Sequence, residues 1–226
     1  MHRFLFICLL LSSFAELTAG EKRPRVRFET TMGPIVVELY NETPLHRDNF
    51  LQLIARHAYD SLLFHRVVAN FMIQAGDPES RRARPGQKLG EGTLDYTLAP
   101  EFRTAEGLYH RRGALCAARE GDDANPDRRS DAIQFYIVWG TTYTKGRLEK
   151  ARAHIESMLD RPYTFSPEQT EDYLWTGGTP ALDEQYTVFG QVVEGLDTVE
   201  DIQAQPRDAF DRPVEDIRIL RAVVEP

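Results

Sequence analysis

Hydrophobic and polar positions alternate over residues 25–31 (RVRFETT), which places Val26, Phe28 and Thr30 on one face of a strand. Met32, Gly33 and Pro34 form a turn, and residues 35–40 (IVVELY) continue as a second strand, so the two read as a hairpin. The period then changes. Thr43 and Pro44 mark a helix start, a hydroxyl cap followed by proline at the first helical position. Phe50, Leu53, Ile54 and His57 follow at i, i+3, i+4 and i+7, which gives this helix one buried face.

Short strand-like runs recur at 64–68 (FHRVV), 71–75 (FMIQA), 113–118 (GALCAA), 133–139 (IQFYIVW), 186–193 (YTVFGQVV) and 216–224. Long polar loops fill 76–95 and 119–132, and a helix is predicted over 195–203. Many short strands with one helix near the start and one near the end predict a barrel or sandwich capped by helices. Residues 141–178 break this pattern. Lys145 to Asp160 is charged and helical, with Leu148, Arg152, Ile155 and Leu159 along one stripe. The run 166–169 (SPEQ) has the form of a capping box, and Gly177 and Gly178 stop the helix that it starts. A helical hairpin inserted at about 141–178 into a β-domain spanning 21–226 is the simplest reading.

The first twenty residues stand apart. Arg3 precedes an apolar stretch from Phe4 to Leu11, and small or polar residues follow as far as Ala19 and Gly20. This is the form of a secretory signal peptide over 1–20, since a bilayer span needs roughly 20 apolar residues. The expectation is an exported protein, in a periplasm or another secretory compartment, with no membrane insertion once the signal is removed. Of the two cysteines, Cys8 leaves with the signal, and Cys116 lies in an apolar run that reads as a core strand. A thiol without a partner forms no internal disulfide.

Composition narrows the function. The 226 residues carry 27 Lys and Arg against 35 Asp and Glu, a formal net charge of −8, which argues against nucleic acid as a partner. A hydrophobic share of 42% is that of a globular domain. Asp122, Asp123, Asn125 and Asp127 form an acidic loop without the spacing of an EF-hand, so no metal site is expected there. His46, His57, His65, His110 and His154 show no close ligand spacing.

The most informative stretch is 64–77 (FHRVVANFMIQAGD). In alternating strands Arg66, Met72 and Gln74 share a face. A guanidinium on an apolar strand face is uncommon, because burying it without partners is costly. Read from periodicity alone, Arg66 is either a structural or snorkelling arginine or a functional one.

This stretch resembles the core motif of the cyclophilin-type peptidyl-prolyl cis–trans isomerases. The likeness continues through 113–119 (GALCAAR), through 133–138 (IQFYIV), which is similar to the family's QFF-type strand, and through 181–202. The longer loop at 119–132 and the helical insertion look like those of a subset of secreted bacterial members. The resemblance implies a closed eight-stranded antiparallel β-barrel capped by two helices, with the active groove on its outer surface. It implies a cofactor-independent isomerase acting on proline-containing polypeptides and assisting the folding of exported proteins.

Carried over by motif position, Arg66 is the catalytic arginine, with Gln74 holding it and bonding the substrate backbone. Phe71, Met72 and Tyr136 line the proline pocket, with Leu182 at its edge. Ala118 and Gln134 flank the neighbouring subsite, and Tyr186 stands where many members have histidine. Two positions depart from the family. Ala181 replaces a tryptophan at the pocket rim, and Ile133 replaces a small residue, with the expectation that it narrows the second subsite or alters the loop. These departures, with the insertion, keep open a non-catalytic proline-peptide-binding or chaperone-like module on the same fold. The insertion is also a candidate surface for a protein partner.

Overall fold

The structure is a computed structural model that describes residues 22–226; the expected signal peptide at 1–20 lies outside the described residues. In chain order the main elements are β1 (Arg25–Thr30), β2 (Gly33–Leu39), α1 (Pro44–Ala55), β3 (Arg66–Val68) and β4 (Met72–Ala75). They continue with β5 (Thr97–Leu98), β6 (Ala114–Ala117), β7 (Ser130–Asp131), β8 (Phe135–Val138), α2 (Lys145–Leu159) and α3 (Pro167–Trp175). The chain ends with β9 (Val188–Glu194), α4 (Leu196–Gln203) and β10 (Ile219–Val224). Among the described residues no helix is long and apolar enough to cross a membrane.

Eight strands form one antiparallel sheet in the order β10–β1–β2–β9–β6–β8–β4–β3, while β5 and β7 pair separately. The expected closed barrel is corrected here: the sheet curls but stays open between β3 and β10. The seam is bridged by irregular chain instead. Phe64 N–H donates to the Ile217 carbonyl at 2.9 Å, Ile219 N–H to Leu62 at 2.8 Å, and Val67 N–H to Asp211 at 2.8 Å. The reason is local. Facing β3 is the segment before β10, where Pro213 has no N–H to give a ladder and Asp211 takes a left-handed φ of 61°.

The inward positions of the curled sheet meet the buried faces of α1 and α4 in one core. Phe28, Phe50, Tyr59, Phe135 and Phe189 pack as a ring cluster with centroids 5.0–6.1 Å apart, mostly edge to face, as aromatic quadrupoles favour. From α1, Phe50, Leu53 and Ile54 enter this core, but His57 does not: the helix ends at Ala55 and His57 is exposed, with a left-handed φ of 57°.

Thr43 occupies the cap position without capping, since its hydroxyl turns back toward the Tyr40 carbonyl. The Glu101 carboxylate caps instead, accepting from Leu45 N–H at 3.2 Å and His46 N–H at 3.0 Å. A negative group at a helix N-terminus is stabilised by its free N–H donors.

Two helices, α2 and α3, form over 141–178, with a complete capping box between Ser166 and Gln169. The buried stripe of α2 differs: Leu148, Ala151 and Ile155 face inward, while Arg152 lies outside and pairs with Glu149 and Glu156. Tyr173 of α3 is fully buried against Tyr109 and Leu148, with Tyr143 and Phe165 around them. The hairpin is therefore fastened to the body at its centre, while Trp175 at its end is 78% exposed.

Candidate active site

Strand register assembles the site. Arg66 lies directly opposite Gln74 in the β3–β4 pair, and Gln74 lies opposite Tyr136 in the β4–β8 pair. Side chains on directly paired positions share a face, so this register places Arg66, Gln74 and Tyr136 side by side. Met72, two residues before Gln74, joins the same face, and Phe71 closes it from the β3–β4 turn.

These residues open into a cavity of about 300 Å³. Arg66, Phe71, Met72, Gln74, Ala118, Tyr136, Leu182 and Tyr186 all line it. Gln134 lies one step away, in a wider adjoining groove that shares Gln74 and Ala118 with the first cavity. All nine residues singled out by the resemblance are thus brought to one continuous surface.

A chain of amides fixes the guanidinium. Arg66 Nη1 donates to Gln74 Oε1 at 3.3 Å, and Gln74 Nε2 donates to Gln134 Oε1 at 2.9 Å. Gln134 Nε2 donates in turn to the Gly90 and Gly92 carbonyls, at 3.0 and 2.7 Å. Gly76 permits this arrangement. Its φ is +105°, and a Cβ there would sit 2.3 Å from the Ile133 carbonyl oxygen and 2.6 Å from Gln134 Cα. Only glycine lets the end of β4 approach residues 133–134 this closely.

Ile133 does not narrow the second subsite. It is buried in the main core, while its N–H and that of Gln134 both donate to Asp131 Oδ1 at 2.8 Å. Ala181 does not line the cavity, and Phe210, 57% exposed, stands on the rim. Its loop is shaped by Asp208, whose Oδ1 accepts from Phe210 N–H at 2.8 Å and Arg212 N–H at 3.1 Å. The buried Arg212 guanidinium ties the loop down through Asp216 and the carbonyls of Arg84 and Gln87.

Asp211 of this loop reaches to 3.8 Å from Arg66 Nε, and 3.1 Å from Arg207 Nε. Sequence reasoning missed Phe210 and Asp211, because 136 or more residues separate them from Arg66 and Gln74 and no local pattern aims them at the site. It also missed Arg119, whose guanidinium lies 4.4 Å above the Tyr186 ring, a cation–π contact at the cavity wall. The acidic loop is occupied with its own arginines: Asp122 pairs with Arg119 at 2.7 Å and Arg128 at 2.9 Å.

Cys116 lies opposite Tyr136 in the β6–β8 pair and is fully buried. Burial pushes its thiol well above the usual range, so the reactive thiolate is disfavoured, as the core reading requires.

His65 also borders the cavity, and burial pushes its imidazole down to about 4 despite the nearby Asp77 carboxylate. The sign of the consequence follows from linkage. Above pH 6.5 the ring is neutral in both folded and unfolded chains. Between pH 6.5 and 4 the unfolded chain takes up the proton and the folded chain does not, so acidification favours unfolding. Stability measured by urea melts should fall across this window by as much as about 3 kcal/mol through His65. His65→Leu should flatten the slope; equal slopes in the two proteins would contradict this assignment.

Comparison with known proteins agrees with the geometry. The family model described as cyclophilin type peptidyl-prolyl cis-trans isomerase/CLD matches residues 25–224. A peptidyl-prolyl cis-trans isomerase of Arabidopsis thaliana is 28% identical over 202 residues, covering 89% of this chain and 93% of its own. A peptidyl-prolyl cis-trans isomerase-like 1 of Aspergillus fumigatus is 30% identical over 201 residues, covering 88% and 94%. Among solved structures, a cyclophilin type peptidyl-prolyl cis-trans isomerase of Cryptosporidium parvum superposes with a TM-score of 0.63 at 23% identity, covering 90% of this chain and 98% of that one. The register-built cavity and a family match that runs from β1 to β10 lead to one conclusion: this chain belongs to the cyclophilin-type peptidyl-prolyl cis–trans isomerases.

Proposed function

We propose that this isomerase turns X–Pro bonds in the 300 Å³ cavity, with Arg66 as the catalytic group, and that its substrates are exported polypeptides. The observation that carries the first part is a guanidinium held by Gln74 at the mouth of an apolar pocket while still 43% exposed to an incoming chain. Rotation about the peptide bond is opposed by a barrier of about 18–20 kcal/mol from amide resonance. No covalent bond breaks, so the chemistry requires only that the twisted amide be bound better than the planar one.

In the twisted amide the proline nitrogen regains its lone pair. Arg66 donates a hydrogen bond to that nitrogen, and it does so from a fixed position with a charge that persists at any working pH. Phe71, Met72, Tyr136 and Leu182 clamp the pyrrolidine ring while the preceding carbonyl swings. Gln74 orients Arg66 and meets the substrate backbone, and Ala118, Gln134 and Tyr186 border the residues before proline. Support for this substrate class comes from the Cryptosporidium parvum protein, whose structure has also been determined in the presence of the dipeptide Ala-Pro.

Export rests on the sequence of residues 1–20, whose charged start and short apolar run fit a secretory signal. The role is tested by refolding an exported protein whose slow phase is proline-limited. Uncatalysed, that phase lasts tens to hundreds of seconds at about 25 °C. Catalytic amounts of this chain should shorten the slow phase and leave the fast phases alone, whereas an unchanged slow phase would overturn the reading. A reporter that matures only outside the cytoplasm, fused to residues 1–20, should become active; an inactive one removes export.

A further inference from the structure

The hydroxyl of Tyr136 is not needed to clamp a proline ring, and the QFF-type strand that residues 133–138 resemble carries a phenylalanine there. In this chain that hydroxyl begins a buried chain of hydrogen bonds. It lies 3.0 Å from His110 Nε2. His110 Nδ1 lies 2.9 Å from Asp183 Oδ1, which also accepts from His110 N–H at 2.9 Å. Asp183 Oδ2 accepts from the Tyr173 hydroxyl at 2.7 Å. All four residues are buried, Asp183 and Tyr173 completely.

The direction of the chain follows from donor chemistry. A carboxylate only accepts, so Nδ1 of His110 carries a proton. In the neutral ring Nε2 is then an acceptor, and it takes the Tyr136 hydroxyl proton. A carboxylate without solvent tolerates few arrangements, because each donor withdrawn from it leaves a buried charge less satisfied. The position of Asp183 is therefore tightly specified. It follows Leu182, which lines the cavity together with Tyr136. Tyr173 stands on α3, so the insertion supplies one end of a chain whose other end is the proline pocket.

We propose that Tyr173 is a positioning residue for isomerisation: through Asp183 and His110 it sets the Tyr136 ring and the Leu182 edge of the proline clamp. The insertion is then part of the active-site scaffold. The inference rests on the cavity being the proline site.

A double-mutant cycle of wild type, Tyr173→Phe, Tyr136→Phe and the double variant tests it. The readouts are KM and kcat on a prolyl peptide and the dissociation constant for an Ala-Pro dipeptide. Tyr173→Phe should raise KM and the dissociation constant about 3–10-fold, with kcat within about 2-fold. In the Tyr136→Phe background the same substitution should have a clearly smaller effect, because the branch to the Tyr136 ring is already cut and only the branch to Leu182 remains. Tyr143→Phe, in the same aromatic cluster but outside the chain, should leave both constants unchanged.

Equal effects of Tyr173→Phe in both backgrounds, or none in the wild-type background, would overturn the relay. A loss of melting temperature alone, equal in both backgrounds, would also overturn it, since that is the signature of packing. Absence of isomerase activity in wild type would strike at the catalytic reading, while the dipeptide dissociation constants would still decide the relay.

Discussion

Arg66→Ala should lower kcat/KM for a prolyl peptide by roughly 10²–10³-fold, the loss typical of removing one preorganised transition-state donor. The fall should lie in kcat, because the bond to the proline nitrogen exists only when the amide is twisted. The fold should hardly notice. Arg66 is 43% exposed, its contact with Asp211 is 3.8 Å long, and its bond to Gln74 is 3.3 Å. Exposed pairs of this kind are worth about 0–1 kcal/mol, which for a chain of this size moves the melting temperature by no more than about 4 °C. Arg66→Lys should recover only part of the rate, since an ammonium keeps the charge and loses the planar fork that Gln74 holds. Stopped-flow isomerisation with parallel thermal melts checks both halves. Retained activity in Arg66→Ala would remove the arginine from the mechanism.

Asp183→Ala should have the opposite profile, a large loss of stability together with weakened peptide binding. The carboxylate is fully buried and receives the Tyr173 hydroxyl, His110 N–H and His110 Nδ1. Alanine leaves these donors without an acceptor in a dry site. A buried donor left unsatisfied costs about 1–3 kcal/mol, so losing the acceptor of three should cost several kcal/mol, or roughly 10 °C of melting temperature at this chain length. Asp183→Asn should be milder, because one oxygen can still accept. A melt of Asp183→Ala that superposes on wild type would show that the network does not carry the pocket.

What could be read from the sequence was local or periodic. Alternation over 64–75 placed Arg66, Met72 and Gln74 on one face, and the Arg66–Gln74 register bears this out. The capping box of Ser166 and Gln169 could be read because its partners are three residues apart. The α1 cap could not, since Glu101 lies 55 or more residues beyond the N–H groups that it satisfies. Closure of the sheet failed for a related reason: whether β3 meets a strand depends on the path of 204–218, where prolines and a left-handed Asp211 break the ladder. The relay was hidden most completely. His110 shows no ligand spacing and Asp183 stands in no motif, and only the fold links Tyr136 to the loop before β6, that loop to the segment before β9, and that segment to α3.

The central claim is that this chain speeds rotation about X–Pro bonds at the Arg66 cavity. Two-dimensional exchange NMR of a prolyl peptide with catalytic amounts of the protein reads that rotation directly. At a mixing time of about 0.5 s the uncatalysed peptide shows no cis–trans cross-peaks, because exchange takes tens of seconds or more. Cross-peaks should appear with wild type and vanish with Arg66→Ala. Peptide resonances that shift on binding wild type while no cross-peak develops would contradict the account and make the protein a binder of proline peptides.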